Sequence, residues 1–310
     1  MTGPDQSGSE RRATETPVSR NVDWPSATTT LVATIGDPIR HSLSPLLHQV
    51  AFAAMGIDWV SVAFEVPAGA AARALTGMRA LGIAGLSVTM PHKADVAGAV
   101  DELTPVARSL GAVNCVLREG DLLIGDSTDG EGFLTALERA TGFTATGKRC
   151  LVLGAGGAAR AVVLALGEVG AEEVVVVNRT KEKAEVAAQL AGAVGRTGSA
   201  ADAVDADLVV QATPVGMVGS GEVGSGEVGS GEDALIMDPE LIQPGQIVAD
   251  LVYHPEETRF LEEARRRGAT TVNGLGMLVH QAALAVERWT GRPAPVEAMW
   301  AAASSRARRG

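Results

Sequence analysis

From residue 30 onward, short apolar runs alternate with longer segments whose apolar residues recur every three to four positions. Residues 31–35 read as a strand, and 45–55 as a helix, because Leu46, Leu47, Val50 and Ala54 fall at helical spacing. A strand is expected at 59–65, an alanine-rich helix at 68–81 and a strand at 85–89. A second series starts after Asp129, with helices at 130–140, 157–169 and 181–190 and strands at 149–153 and 173–178. Strands at 208–212 and 247–251 and helices at 255–267 and 277–290 continue it. Repeated βαβ units of this kind imply an α/β fold with parallel sheets and right-handed crossovers.

The length of 310 residues leaves room for two domains. The expected division is into two domains, an open α/β one, residues 30–128 plus 275–303, and a Rossmann-type α/β one, residues 129–274. Aromatic residues are only 3% of the chain, so both cores must be built from Ala, Val and Leu. A net charge of −11 argues against nucleic acid as a partner, because phosphate backbones are bound by basic surfaces.

Two segments stand outside the periodic pattern. Residues 1–29 are rich in Ser, Thr, Pro and charge, and no apolar run follows Arg11-Arg12, so they read as a disordered leader rather than a targeting or membrane segment. Residues 218–232 are three tandem copies of Val-Gly-Ser-Gly-Glu, which reads as a mobile surface loop. Cys115 and Cys150 form no close-spaced pair, so reduced thiols in a cytoplasmic protein are expected, with no disulfide framework and no metal site. The five histidines are scattered along the chain and read as structural.

The chemistry starts where the strand ending at Leu153 runs into Gly154-Ala155-Gly156-Gly157-Ala158-Ala159 and a helix. This is a G-x-G-x-x-A dinucleotide fingerprint in its strand–turn–helix setting. Gly154 permits the turn, Gly156 admits the pyrophosphate, and the helix start faces the anion, with Gly157 and Ala158 beside it. At the end of the next strand an NAD site would place an acidic residue. This chain has Asn178-Arg179-Thr180 and then Lys183, which suit the 2′-phosphate of NADP.

Polar clusters recur in the first half. They are Ser42-Leu43-Ser44-Pro45 before a helix, Ser87 through Lys93 at a strand end, Asn114, and Asp126-Ser127-Thr128-Asp129-Gly130. Ser44 is expected to cap the helix, with Pro45 in its first turn. Taken in this order, with the later Asp250-Leu251-Val252-Tyr253 and Gly274 through Gln281, they resemble the shikimate dehydrogenase family over about residues 31–300.

The resemblance implies reversible NADPH-dependent reduction of 3-dehydroshikimate to shikimate, a step in aromatic amino-acid biosynthesis. It assigns Lys93 and Asp129 to catalysis and Ser42 and Ser44 to the substrate carboxylate. Thr89, Lys93, Asn114 and Asp129 become ring-hydroxyl contacts, with Tyr253 and Gln281 also on substrate. Thr213, Leu251, Gly274 and Met277 become cofactor contacts. Ser87, Ser127 and Gln211 depart from the usual asparagines but keep hydrogen-bonding side chains. The expected partner is the small-molecule substrate, with the chain a monomer or homodimer. A quinate or quinate/shikimate dehydrogenase is the nearest alternative. A non-catalytic metabolite sensor on the same fold would not need both Lys93 and Asp129, and a folate-type dehydrogenase would not need the paired serines.

Overall fold

The computed structural model describes residues 25–217 and 235–307. Residues 1–24 of the expected leader and the whole 218–232 repeat lie outside the described residues.

The first half runs β1 (Thr30–Gly36), α1 (Ser44–Met55), β2 (Trp59–Glu65), α2 (Ala71–Leu81), β3 (Gly85–Val88) and α3 (Lys93–Ala97). It continues through β4 (Glu102–Leu103), α4 (Pro105–Leu110), β5 (Cys115–Glu119), β6 (Leu122–Asp126) and α5 (Asp129–Thr141). The second half comprises β7 (Arg149–Leu153), α6 (Gly157–Glu168), β8 (Glu173–Val177), α7 (Lys181–Ala188), β9 (Gly195–Thr197), β10 (Leu208–Gln211) and β11 (Ile247–Asp250). It ends with α8 (Arg259–Arg266), β12 (Thr270–Val272), α9 (Leu275–Thr290) and α10 (Val296–Ala307).

Two six-stranded sheets result. The second has the order β12-β11-β10-β7-β8-β9, all parallel, so the strand order reverses between β7 and β10. Ligands of open α/β sheets bind at such a reversal, outside the carboxyl ends of the strands. The first sheet, β2-β1-β3-β5-β6-β4, corrects the expectation of parallel sheets, because β5 runs antiparallel to both β3 and β6. The reason is local. Only Gly120 and Asp121 separate β5 from β6, and two residues can join only antiparallel neighbours.

Both faces of each sheet are covered, which explains the continuous apolar runs. One face of the first sheet packs Ala33, Ile35 and Val88 against Leu75 and Met78 of α2. Its other face packs Val32 against Leu47 and Phe52 of α1, Val279 and Val286 of α9, and Met299 of α10. The last two helices therefore return to the first sheet, next to α1.

Helix α5 forms the spine between the sheets. A Cβ on Gly130 would lie 2.7 Å from the Ala161 carbonyl oxygen in α6, and one on Gly132 would lie 2.7 Å from the Gln281 nitrogen in α9. Glycine at both positions lets α6 and α9 approach the α5 backbone directly. That close packing fixes how the two sheets' carboxyl ends face each other.

Candidate active site

The site is built where the carboxyl ends of the two sheets converge. After β3 the chain turns through Thr89-Met90-Pro91-His92, and the buried His92 donates from Nε2 to the Val66 carbonyl at 2.7 Å. The Val113 amide donates to the Lys93 carbonyl at 2.9 Å. These two bonds fix Lys93 at the start of α3.

Across from it, Asp129 opens α5 with its side chain only 9% exposed. Lys93 Nζ donates to Asp129 Oδ2 at 2.6 Å. The other carboxylate oxygen, Oδ1, accepts from Asn114 Nδ2 at 2.8 Å. Asn114 donates its second amide hydrogen to Thr128 Oγ1 at 3.0 Å, and its Oδ1 accepts from the Thr128 backbone N–H at 2.8 Å. Thr128 Oγ1 in turn donates to the Gln281 carbonyl at 3.0 Å. Four separate segments thus bring Lys93, Asn114, Asp129 and Gln281 together. Hydrogen-bonded chains of buried polar groups hold a geometry closely when every member is satisfied.

Thr128 is the member of this chain that sequence reasoning did not single out. It sits between Ser127 and Asp129 in a polar run of the sequence, and the fold buries the whole of that run.

Ser42 and Ser44 lie between β1 and the body of α1, Ser44 buried and Ser42 half-buried. The expected cap is corrected. Leu43 occupies the cap position in a helical conformation with no side-chain cap bond, and Ser44 is already inside the helix. Instead Ser42 Oγ accepts the Ser44 N–H at 3.3 Å. Thr89 is held next to β1 by a 3.0 Å bond from its N–H to the Ile35 carbonyl. Tyr253 follows β11, yet its ring packs with the α1, α9 and α10 cluster of the first sheet, and burial pushes its phenol pKa up.

The turn between β7 and α6 is open and glycine-built. Gly154 has φ +120°, and a Cβ there would lie 2.9 Å from the Ala212 carbonyl oxygen, so only glycine fits. Gly156 precedes α6 with no side-chain cap and open space around it. The first amides of α6 are therefore left for an anion. Gly157 is exposed, and a Cβ on it would come within 3.9 Å of Lys93 Cδ. The glycine turn and the Lys93–Asp129 pair are direct neighbours.

Gln211 explains its own departure from the usual asparagine. It donates from Nε2 to the Thr213 and Val215 carbonyls at 3.0 and 2.9 Å and accepts from the Thr213 N–H, bracing the loop beyond β10. At the end of β8, Asn178 Nδ2 donates to the Thr180 carbonyl at 2.9 Å. Arg179 and Lys183 are exposed there, and neither makes an ion pair with another described residue. Leu251 and Met277 belong to the apolar cluster shared by β7, α5 and α6, and the Gly274 N–H donates to the Val252 carbonyl at 3.0 Å.

Among the described residues no group of three or more His, Cys, Asp or Glu side chains could hold a metal ion. Both cysteines are free and buried. No helix among the described residues is long and apolar enough to cross a membrane.

This arrangement sets an uncapped glycine turn directly beside an ammonium–carboxylate pair, and comparison with known proteins gives it a family. The pattern of the shikimate dehydrogenase substrate binding domain matches residues 34–116, and that of shikimate / quinate 5-dehydrogenase matches residues 136–215. The shikimate 5′-dehydrogenase C-terminal domain matches residues 274–303. A shikimate dehydrogenase (NADP(+)) of Moorella thermoacetica is 46% identical, covering 88% of this chain and 92% of that protein.

The chain belongs to the shikimate dehydrogenase family.

Another shikimate dehydrogenase (NADP(+)), from Methanopyrus kandleri, is 45% identical over 91% of this chain and 96% of its own. The crystal structure of shikimate 5-dehydrogenase from Thermus thermophilus in complex with NADP(H) and shikimate superposes with a TM-score of 0.80. It is 37% identical and is matched over 90% of this chain and 100% of that one. The family and its two-domain Rossmann-type architecture are those that the sequence motifs implied.

Proposed function

We propose that the chain is an NADP-dependent shikimate dehydrogenase, catalysing the reversible reduction of the ring ketone of 3-dehydroshikimate to the alcohol of shikimate. The observation that carries this reading is the Lys93–Asp129 pair, 2.6 Å apart, beside the open glycine turn that precedes α6.

The cradle fits a dinucleotide. Its turn excludes any Cβ at Gly154, and the start of α6 is uncapped. When bound, NADPH supplies a hydride to the ketone carbon. Lys93 donates a hydrogen bond to the ketone oxygen and passes its proton to that oxygen as alkoxide charge develops, a positioned acid of the usual kind. Asp129 holds the ammonium in place and balances its charge, while Asn114 fixes the carboxylate plane. The neutral lysine regains its proton from solvent, to which its side chain is 22% exposed.

Ser42 and Ser44 bind the substrate carboxylate with Tyr253, and Thr89, Asn114 and Gln281 contact the ring hydroxyls. Gly154, Gly156, Gly157 and Ala158 cradle the pyrophosphate, while Asn178, Arg179, Thr180 and Lys183 take the adenosine 2′-phosphate. Thr213, Leu251, Gly274 and Met277 line the nicotinamide end. We place the enzyme in the cytoplasm, which suits its two free buried thiols.

The test is absorbance at the NADPH band with shikimate or quinate and with NADP or NAD. Turnover with shikimate and NADP well above the other combinations is expected. Preference for quinate and NAD would overturn the assignment in favour of a quinate dehydrogenase. No turnover with any pair, despite binding of shikimate, would favour a metabolite sensor.

A further inference from the structure

The loop between β11 and α8 crosses from the second sheet to the first. It starts on the nucleotide side at Leu251, packs the Tyr253 ring into the cluster of α1, α9 and α10, and returns to start α8 at Arg259. Its base is Asp250, the last residue of β11, which is only 1% exposed.

Asp250 uses both carboxylate oxygens on this loop. Oδ1 accepts from the Val252 N–H at 2.9 Å, and Oδ2 accepts from the Thr258 hydroxyl at 2.7 Å. These partners lie at the two ends of the crossing, so one carboxylate closes the loop on itself. Thr258 also caps α8 by accepting from the Leu261 N–H at 3.3 Å. A second tie runs from Asn273 Nδ2 to the Glu256 carbonyl at 2.9 Å, just before α9.

We propose that Asp250 is a positioning residue for the dehydrogenase reaction, its carboxylate closing the 251–258 loop so that Tyr253 stays seated over the substrate side of the cleft. This rests on the reading of Tyr253 as a substrate contact. A carboxylate is a poor choice for cohesion alone, because burial pushes its pKa up to about 6 and the two bonds only partly offset that. An asparagine in its place would leave the Thr258 hydroxyl hydrogen without an acceptor, because an amide nitrogen only donates. A carboxylate offers two acceptor oxygens in a fixed plane, and both are used.

Tyr253 is the only tyrosine in the chain, so labelling with 3-fluorotyrosine gives one ring fluorine signal at this position. The experiment compares the parent, Thr258→Val and Thr258→Ser. It follows the phenol titration by fluorine NMR without ligand, and KM and kcat for shikimate in the unlabelled proteins.

In Thr258→Val the phenol midpoint should fall from its raised value toward that of an exposed phenol. KM for shikimate should rise several-fold, with kcat changing less. Thr258→Ser keeps the hydroxyl and should match the parent in both. A lower Tm in Thr258→Val with the phenol midpoint and KM unchanged would overturn the proposal, leaving Asp250 a structural residue. Equal effects in Thr258→Ser would overturn it too. If Thr258→Val does not fold, Thr258→Ala takes its place, since it too removes the hydroxyl that ties the far end of the loop to Asp250 Oδ2. A parent that does not turn over shikimate would remove the functional reading alone, because the phenol titration needs no substrate and still decides whether Asp250 holds Tyr253.

Discussion

Asn114 holds Asp129 through one amide hydrogen, at 2.8 Å, while the opposite carboxylate oxygen takes the Lys93 ammonium at 2.6 Å. The asparagine therefore orients the carboxylate that orients the lysine. Replacing Asn114 with Ala should leave Asp129 Oδ1 and the Thr128 amide without buried partners. Each such loss costs about 1–3 kcal/mol. Chemical denaturation should show a destabilisation of that order, and kcat should fall as well as KM rise.

The serines separate binding from stability. Ser44 is not the cap of α1, so Ser44→Ala should change Tm little while raising KM for shikimate. A carboxylate whose charge hardly changes during hydride transfer is held equally in ground and transition states, so kcat should be affected less. Ser42→Ala also removes the bond to the Ser44 amide and should lower Tm slightly more. Steady-state kinetics and melting curves on both variants check this.

Asp250 gives stability a pH dependence whose sign is fixed. Its folded pKa is pushed up to about 6, whereas an unfolded aspartate titrates at ~3.9. The folded state thus holds the extra proton between those values, and this group makes the protein less stable as pH rises from about 4 to 6. Asp250→Asn removes that slope. In urea unfolding at a series of pH values, the parent should lose stability relative to the variant by up to roughly 3 kcal/mol across that range.

Cofactor choice should depend on Arg179. It is exposed, and it makes no ion pair with any described residue, so its guanidinium is available to a phosphate. Charge-assisted bonds contribute roughly 1.5–3 kcal/mol. Arg179→Ala should therefore raise KM for NADP about 10–100-fold. KM for NAD should move far less, and salt should weaken NADP binding more in the parent than in the variant. Titrating both cofactors at two salt concentrations checks this, and equal losses for NAD and NADP would assign Arg179 to adenine or to the fold.

What the sequence made legible was what local chemistry determines. The turn at Gly154 through Ala159 and the basic end of β8 can each be read within a few residues, and both stand at the expected places. The β5–β6 hairpin was missed because its Gly120-Asp121 signal is short and strand alternation suggested helices between strands. The cap of α1 was misplaced because it depends on the helical backbone of Leu43, not on the serine that follows.

Thr128 and Asp250 escaped notice for a different reason. The hydroxyl of Thr128 meets a carbonyl 153 positions away, and that pairing exists only once α5 and α9 pack. Asp250 reads as an ordinary strand end until burial and Thr258 give its carboxylate a purpose.

The central claim is that Lys93 and Asp129 transfer and manage the proton while shikimate and NADP exchange a hydride. The most direct measurement is steady-state kinetics of the parent, Lys93→Ala and Asp129→Asn with shikimate and NADP, after circular dichroism shows that all three fold alike. The parent should turn over, and each variant should lose ~10²–10⁴-fold in kcat, the usual contribution of a positioned acid–base group. A folded Lys93→Ala or Asp129→Asn enzyme with near-parent kcat would contradict the account.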